Sequence, residues 1–348
     1  MLDDRLIFRG ADGYDEARFA RVFNARRPER YPAAVLVAES ENDVVEGIQL
    51  ARKHGWKVAI RAGGHSFPVW SLRDDALVID LNGFKETNFD TSTNIVSVTP
   101  SVSGAELNAY LSRYGRFFTT ADCPSVGLGG FLLQGGIGMG FRGWGYAAEQ
   151  VVAIDVVTAD GELVRADERK NSDLLWAARG AGPGFCGAIT RFHLTTRPIP
   201  KGLAATTHIY PLARYADVVE WVWKVHPSLS PDVALVAVSV RLPFPVPGGD
   251  DGFMFVLAAV AMSASREESL KGACAVRGVA IPQRGFGRPA RSANDDRRTI
   301  RVRRRDAPSG HALPGGFGVG RRSSPRNHRR SETTADRAAE WHTGPCLF

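Results

Sequence analysis

The stretch AAVLVAESENDVVEGIQLARKHGWKVAIRAGG, residues 33–64, indicates how the first part of the chain folds. Its apolar run 33–38 predicts a buried strand. Ser40 is a residue type that favours a helix N-cap, and Asp43 follows three positions later at the start of an amphipathic pattern. We therefore predict a helix over about 41–53, directly after the strand.

The end of the same stretch predicts a second strand that runs into a glycine pair. Gly55 can end the helix in the left-handed conformation, which glycine adopts readily. Apolar residues then alternate over 56–61, as in a half-buried strand, and Gly63 and Gly64 follow. The unit is thus a strand, a helix, a strand and a glycine turn.

Similar patterns continue as far as residue 262. Further strands are predicted over 77–81, 95–98, 151–158, 162–166, 188–196, 204–210, 233–242 and 253–262. Further helices are predicted over 103–114, 173–178 and 213–225. Beyond about residue 270 no apolar period persists for more than a turn, and Gly, Pro, Ser and Arg dominate. We expect residues 269–348 to be disordered or non-native, most simply through a frameshift in a GC-rich gene.

Composition and charge disfavour several classes of protein. The chain has 348 residues, of which 44% are hydrophobic, so it is long enough for about two soluble domains. The formal net charge of +7 comes mainly from arginine clusters between 277 and 337, so the basic character belongs to the tail and we expect no nucleic-acid partner. With no apolar run of 18 residues and no leader of basic then apolar residues, we expect a cytoplasmic protein that does not bind membranes.

The cysteines predict neither a disulfide framework nor a metal site. They are Cys123, Cys186, Cys274 and Cys346, and they form no CxxC pair and no metal-ligand spacing. A cysteine of functional importance is therefore expected to act alone.

The motif RAGGHSF, residues 61–67, follows a predicted strand. Its two glycines allow backbone N–H groups to surround an anion such as a pyrophosphate. Taken alone, the motif is equally compatible with a tight turn in which His65 is incidental.

A second glycine-rich run begins with CPSVGLGG, residues 123–130, and continues as FLLQGGIGMGFRGWG, residues 131–145. Many glycines let a backbone approach a large planar ligand, so the run indicates either a nucleotide or flavin site or a glycine-rich packing turn. A Rossmann fold is disfavoured, because the run follows Cys-Pro rather than a strand and no βαβ unit with an acidic residue about 20 positions on is evident.

The order of the motifs resembles that of one protein family. RAGGHS is followed about 60 residues later by DCPSVGLGGFLLQGG, then by VVAIDVVTADGELV and DLLWAARGAGPGFCGAITRF. Over about 170 residues this pattern resembles the FAD-binding domain of the vanillyl-alcohol oxidase and p-cresol methylhydroxylase (PCMH) family, and within it the berberine-bridge-enzyme-like oxidases. The resemblance implies an α+β chain with four parts. An N-terminal extension over 1–29 precedes a PCMH-type FAD-binding domain of two α/β lobes over 30–200. An incomplete antiparallel-sheet substrate domain follows over 201–268, and a disordered Arg-rich tail over 269–348.

The resemblance also implies roles for individual residues. His65 would bond to the 8α-methyl carbon of the flavin and Cys123 to flavin C6, with a single link through His65 as the alternative. The pyrophosphate would lie on backbone amides of Gly63, Gly64 and Ser66. The ring, ribityl chain or adenine would lie close to Val126, Gly127, Gly130, Gly136 and Ile189. Some relatives have a histidine where this chain has Phe131, so the polar contact it makes is not expected here.

The function implied by the resemblance is that of an FAD-dependent oxidase. A hydride would pass from an alcohol, sugar or phenol to the flavin, and O2 rather than a nicotinamide would accept the electrons. The base is expected from the substrate domain, where the sequence identifies no candidate. Two alternatives are an FAD-binding but catalytically incomplete truncated chain and, less favoured, a protein whose basic tail binds nucleic acid.

Overall fold

The computed structural model describes residues 2–241 and 253–275. The strands in this part of the chain are β1 Leu6–Phe8, β2 Ala34–Val37, β3 Lys57–Arg61, β4 Ala76–Asp80, β5 Thr87–Asp90, β6 Ile95–Val98, β7 Arg116–Phe117, β8 Val151–Val157, β9 Leu163–Asp167, β10 Ala188–Thr195, β11 Arg197–Pro198, β12 Gly202–Pro211, β13 Val233–Arg241 and β14 Phe253–Ser263. The helices are α1 Tyr14–Phe19, α2 Glu41–His54, α3 Gly104–Ser112, α4 Leu128–Leu133, α5 Phe141–Trp144, α6 Ser172–Ala178, α7 Tyr215–Val225 and α8 Arg266–Cys274.

The first sheet has the order β1-β2-β4-β3, with β2, β4 and β3 parallel and β1 antiparallel at the edge. Helix α2 begins as predicted, because Ser40 accepts a hydrogen bond from the amide of Asp43, and it ends at Gly55 in the left-handed conformation. A Cβ on Gly47 of this helix would lie 2.7 Å from Leu36 Cδ2, so a glycine is required for the helix to pack this closely on the sheet.

The second sheet has the order β5-β6-β10-β8-β9 and is antiparallel throughout. Its inner face shares a core with residues of α3, α4 and α6, including Leu107, Leu132 and Leu175. The two sheets with their helices are the two predicted lobes, and the capping box of Ser103 and Glu106 fixes the start of α3.

A third sheet, β12-β14-β13, is antiparallel and carries α7 and α8. Its core contains Val218 of α7, Leu257 of β14 and Ala273 of α8. This is the sheet predicted as the start of a substrate domain.

Two segments differ from the sequence-based expectations. The predicted N-terminal extension supplies β1, and the Tyr14 hydroxyl donates to the carbonyl of Pro32 at 2.6 Å, so this segment packs on the first lobe. Helix α8 was not predicted and crosses the expected boundary at 268; its N-cap, Ser265, accepts from Glu268 N. The prediction of a disordered or non-native tail falls on residues outside the described part from 276 onwards.

None of the helices in residues 2–241 and 253–275 has both the length and the apolar character needed to cross a lipid bilayer.

Candidate functional site

The two glycine-rich motifs meet at Gly63 and Gly127. A Cβ on Gly63 would lie 2.5 Å from Gly127 N, and a Cβ on Gly127 would lie 2.7 Å from Gly63 Cα. Such distances are shorter than any real contact, so both positions require glycine. The RAGGHSF turn after β3 and the CPSVGLGG run before α4 therefore form one site, although they are about 60 residues apart in sequence.

One hydroxyl group links the two side chains that were predicted to bind the flavin covalently. Ser125 Oγ lies 3.0 Å from His65 Nε2 and 3.4 Å from Cys123 Sγ. Both distances are within hydrogen-bond range, the longer one because sulfur is large. The imidazole and the thiol thus both lie within hydrogen-bond distance of the same serine hydroxyl.

The imidazole of His65 also stacks on Phe23, with ring centroids 4.7 Å apart and an angle of 16° between the rings. Phe67 in turn meets Phe23 edge to face at 5.1 Å. Burial among these groups lowers the pKa of His65, since it disfavours the imidazolium. His65 is therefore neutral, and hence nucleophilic, at physiological pH.

Backbone amides next to this histidine are available to a ligand. No amide from Gly63 to Ser66 donates a hydrogen bond to the described part of the chain. Gly64 has φ +79°, and consecutive amides with one residue in this region can converge on an anion. Polar groups of this kind normally have a partner, so the donor set fits the pyrophosphate of a dinucleotide.

A buried ion-pair network lies beneath the glycine turn. Arg61 Nε donates to Asp80 Oδ2 at 2.7 Å, and the Arg61 guanidinium also donates to the carbonyls of Arg18 at 2.8 Å and Ala17 at 2.7 Å. Arg21 bonds to the other carboxylate oxygen of Asp80 and to the carbonyl of Ala62. The network therefore fixes the backbone from the end of β3 to the start of the turn.

The other predicted site residues have different surroundings. Ser66 Oγ accepts from Trp70 N at 3.0 Å, so this hydroxyl closes the following turn. Val126 accepts from Gly104 N at 3.0 Å through its carbonyl, which ties the run to the start of α3. Gly130 is exposed on α4, with nothing within 4 Å of an added Cβ.

Gly136 and Ile189 are enclosed by protein. Gly136 has φ +76°, and an added Cβ would lie 2.7 Å from Ala147 Cβ and 3.1 Å from the ring of Phe131. Ile189 is buried within β10 in the core of the second sheet. Their predicted proximity to the flavin stays a prediction.

Sequence reasoning missed Phe23 and Arg21, which both lie between α1 and β2. They belong to the segment treated as an extension, which is held to the turn by the pairing of β1 with the first sheet and by hydrogen bonds of Arg21 and Arg61. The signal that could have found them is the alternation of arginine and aromatic residues, such as Arg21 and Phe23, before the first predicted strand.

A cavity of about 260 Å³ has in its lining Asp122, the residue that precedes Cys123. It is lined by Asp122, Ile137, Gly138, Met139, Phe141, Ala234, Leu235, Val236 and Ala237. It therefore lies between the loop after α4 and strand β13 of the third sheet.

The family model of an FAD binding domain matches residues 32–167. This chain carries an FAD-binding domain. The matched range includes the glycine turn, His65, Cys123 and Ser125.

The chain is similar to curated FAD-linked oxidoreductases of fungi. It is 44% identical over 233 residues to FAD-linked oxidoreductase janO of Penicillium janthinellum, a match that covers 67% of this chain and 52% of that protein. It is 33% identical over 204 residues to xylooligosaccharide oxidase of Thermothelomyces thermophilus, covering 58% of this chain and 41% of that protein. The chain thus spans about half the length of the curated relatives it matches.

Solved structures share the fold. That of 6-hydroxy-D-nicotine oxidase from Arthrobacter nicotinovorans has a TM-score of 0.68 at 22% identity, covering 79% of this chain and 58% of that one. That of the berberine-bridge-enzyme-like protein 1 of Physcomitrella patens has a TM-score of 0.66 at 24% identity, covering 78% and 57%. These structures confirm the predicted PCMH-type fold of two lobes followed by an antiparallel sheet.

The rival nucleotide-binding motif G-x-G-x-x-G does occur by spacing, and it occurs twice. Gly138, Gly140 and Gly143 follow it, and so do Gly182, Gly184 and Gly187. The first set lies in the loop after α4 and in the four-residue helix α5, and the second lies between α6 and strand β10, so neither leads from a strand into a helix of a βαβ unit. The pattern therefore lacks the setting in which it binds a dinucleotide. Among the described residues no group of three or more His, Cys, Asp or Glu side chains could hold a metal ion.

Proposed function

We propose that this protein is an FAD-dependent oxidase in which FAD is bound covalently through both His65 and Cys123. The observation that carries the proposal is the bridge from Ser125 to both side chains, at 3.0 Å and 3.4 Å. Two nucleophiles from distant motifs are brought to one place, inside the domain range that binds FAD. An imidazole and a thiolate are side-chain nucleophiles able to attack an electron-poor flavin near neutral pH. Each new bond would replace one C–H bond of the flavin, and the two electrons and two protons released would pass to O2, the proposed acceptor, as hydrogen peroxide.

Ser125 couples the states of these two nucleophiles, because it has only one hydroxyl proton. When that proton is directed at Cys123 Sγ, it stabilises the thiolate, and Ser125 Oγ can then accept the proton of His65 Nε2–H. The lone pair of His65 is in this arrangement on Nδ1. The lowered pKa of His65 favours the neutral imidazole that this arrangement requires.

The residues around the turn hold the rest of the cofactor. The amides of Gly63, Gly64 and Ser66 bind the pyrophosphate, and Val126, Gly127, Gly130, Gly136 and Ile189 approach the ring, ribityl chain or adenine. Bound FAD supplies a hydride acceptor for the substrate and a two-electron donor for O2. The described residues contribute the placement of the ring and the exclusion of water from one side of it.

The electron acceptor is O2 and not a nicotinamide. This is supported by the setting of the two G-x-G-x-x-G spacings in the sequence, at residues 138–143 and 182–187, because neither lies in a strand–turn–helix unit. Hydrogen peroxide should therefore form when substrate is supplied, and NAD and NADP should not be reduced. Reduction of either nucleotide by the purified protein would contradict the assignment.

The covalent bonds are tested by acid precipitation of the purified full chain, followed by absorption spectra of pellet and supernatant. Wild type should keep its flavin in the pellet, His65→Ala and Cys123→Ser should each keep it through the other residue, and the double variant should release it. Cys186→Ser is the control, because Cys186 is an exposed cysteine in the same domain. Release of all flavin from wild type contradicts the proposal, whereas an unchanged peptide mass at Cys123 would leave the single link through His65.

The substrate is an alcohol, a sugar or a phenol. Xylooligosaccharide oxidase, a relative, acts by its name on a sugar, which supports this range. The domain boundaries at 30, 200 and 268 are part of the same proposal, with the third sheet as the beginning of the substrate domain. Anaerobic bleaching of the flavin absorbance by members of these three classes measures which one reduces it.

A further inference from the structure

The cavity between the loop after α4 and β13 has an unusual lining. Its side chains are apolar with one exception, the carboxyl group of Asp122. Strand β13 closes one side with Ala234, Leu235 and Val236, and Ile137 and Phe141 lie on the other. A ligand in this space thus meets apolar walls and a single charge, the exposed carboxylate of Asp122.

Asp122 forms no hydrogen bond or ion pair with any residue that the structure describes. Asp122 is exposed to solvent, and partial burial of its carboxyl group raises its pKa, since no cation or donor in the described residues compensates. The nearest arginine in sequence on these elements, Arg142, is directed elsewhere and donates to the carbonyls of Ser230 at 3.0 Å and Val233 at 2.7 Å. No other titratable side chain lines the cavity.

A solvent-exposed carboxylate that lines an apolar cavity favours a ligand with a polar group that can donate to it. Ionised, it accepts hydrogen bonds and donates none, so a ligand hydroxyl or ammonium is favoured and a ligand carboxylate is repelled. The apolar walls favour an aromatic or aliphatic body and leave the many hydroxyls of an oligosaccharide without partners. Asp122 directly precedes Cys123, so the ligand would lie beside the proposed flavin attachment.

We propose that this cavity is the substrate pocket, and that it binds an apolar molecule whose hydroxyl or ammonium group donates to Asp122. The assignment as a substrate pocket rests on the proposed function. Of the proposed substrate classes it keeps apolar alcohols and phenols and excludes sugars, and it adds apolar amines.

Isothermal titration calorimetry on the purified full chain tests the proposal with four probes: benzylamine, benzyl alcohol, xylobiose and benzoate. Benzylamine and benzyl alcohol should bind at least about tenfold more tightly than the other two, because a charge-assisted hydrogen bond contributes about 1.5–3 kcal/mol. Benzylamine affinity should fall as pH is lowered through the raised pKa of Asp122. Benzoate or xylobiose binding as tightly as benzylamine would overturn the proposal.

Two variants and a control locate the binding. Asp122→Asn should weaken benzylamine about tenfold or more, whereas Asp173→Asn, at an exposed carboxylate on α6, should change nothing. Val236→Phe should block both ligands by filling the cavity, whatever the state of the carboxylate. Unchanged binding in both cavity variants also overturns the proposal. The flavin absorbance of the same samples is recorded separately, so a protein without flavin refutes the proposed function while calorimetry still decides what the cavity binds.

Discussion

Two aspartates near the two ends of the candidate site have opposite surroundings. Asp80, beneath the glycine turn, is 3% exposed and is bonded to Arg61, to Arg21 and to the amide of Asn82. Asp122, at the cavity, has no partner in the described residues. A charge whose partners come from the protein fixes the backbone, whereas a charge left without one is available to a ligand.

The largest effect is expected when the paired region is broken. Asp80→Asn leaves the buried guanidinium of Arg61 without its counter-charge, which should lower the free energy of unfolding by about 3–5 kcal/mol. Urea unfolding measures the change, and the flavin content should fall with it, because the network holds the turn. The matched control is Asp75→Asn, since Asp75 pairs with Arg9 at 80% side-chain exposure and should contribute at most about 1 kcal/mol. Similar losses of unfolding free energy in both variants would show that the buried pair contributes no more to stability than the exposed pair.

The glycine contact gives the next largest effect. Gly63→Ala forces the backbone away from Gly127 and should reduce stability by about 1–3 kcal/mol and abolish flavin retention. Gly130→Ala places its methyl group in open space on α4 and should raise stability by up to about 1 kcal/mol. If the cofactor lies against Gly130 as proposed, this variant nevertheless loses flavin. Thermal unfolding and flavin content, measured on the same samples, separate the two effects, and full flavin content in Gly130→Ala would remove that residue from the site.

The effect of a single hydrogen bond, from Ser125 to Cys123, is expected to be smaller. In protein prepared without flavin, Ser125→Ala should slow alkylation of Cys123 by iodoacetamide at neutral pH about tenfold, because the thiolate loses a donor worth about 1.5 kcal/mol. In protein prepared with flavin, the same change should lower the covalent flavin fraction. Ser125→Thr keeps the hydroxyl and should restore both. Equal alkylation rates in wild type and Ser125→Ala would show that the serine only fills space.

The regular elements were predictable because their signals are local. The N-cap at Ser40, the left-handed Gly55 and the alternation over 56–61 each act within a few residues, and the structure has all three features. The meeting of His65 with Cys123 was also anticipated, but through the resemblance to a family and not through spacing.

The missed features depend on contacts between segments distant in sequence. Phe23 stacks on His65 and donates its amide hydrogen to the carbonyl of Gly64, a contact between segments about 40 residues apart. Strand β1, which pairs this segment with β2, has three residues and is too short to show a period. Asp122 belongs to the DCPSVGLGG motif, but the sequence analysis assigned it no role. The lack of a partner for its carboxylate and the position of β13 across the cavity depend on the fold and cannot be predicted from the adjacent residues. Helix α8 has a weakly apolar face and was lost against the arginine-rich sequence that follows.

The smallest expected effect is the pH dependence of stability that comes from Asp122. Because the pKa of Asp122 is raised in the folded state, its contribution to stability is fully present below the ordinary value of 3.8 and is lost as pH rises through the folded value. Asp122→Asn stays neutral, so it should equal wild type near pH 3 and become the more stable protein toward pH 7. Asp90→Asn is a control of opposite sign: hydrogen bonds from Ser92 and Thr93 lower the pKa of Asp90 to about 2, so that variant should be less stable at pH 7, with the difference vanishing as pH falls from 4 to 2. Thermal unfolding across this range measures both differences. A loss of stability at neutral pH in Asp122→Asn would mean that the carboxylate has a stabilising partner in the protein, and the contrast between the two aspartates would fail.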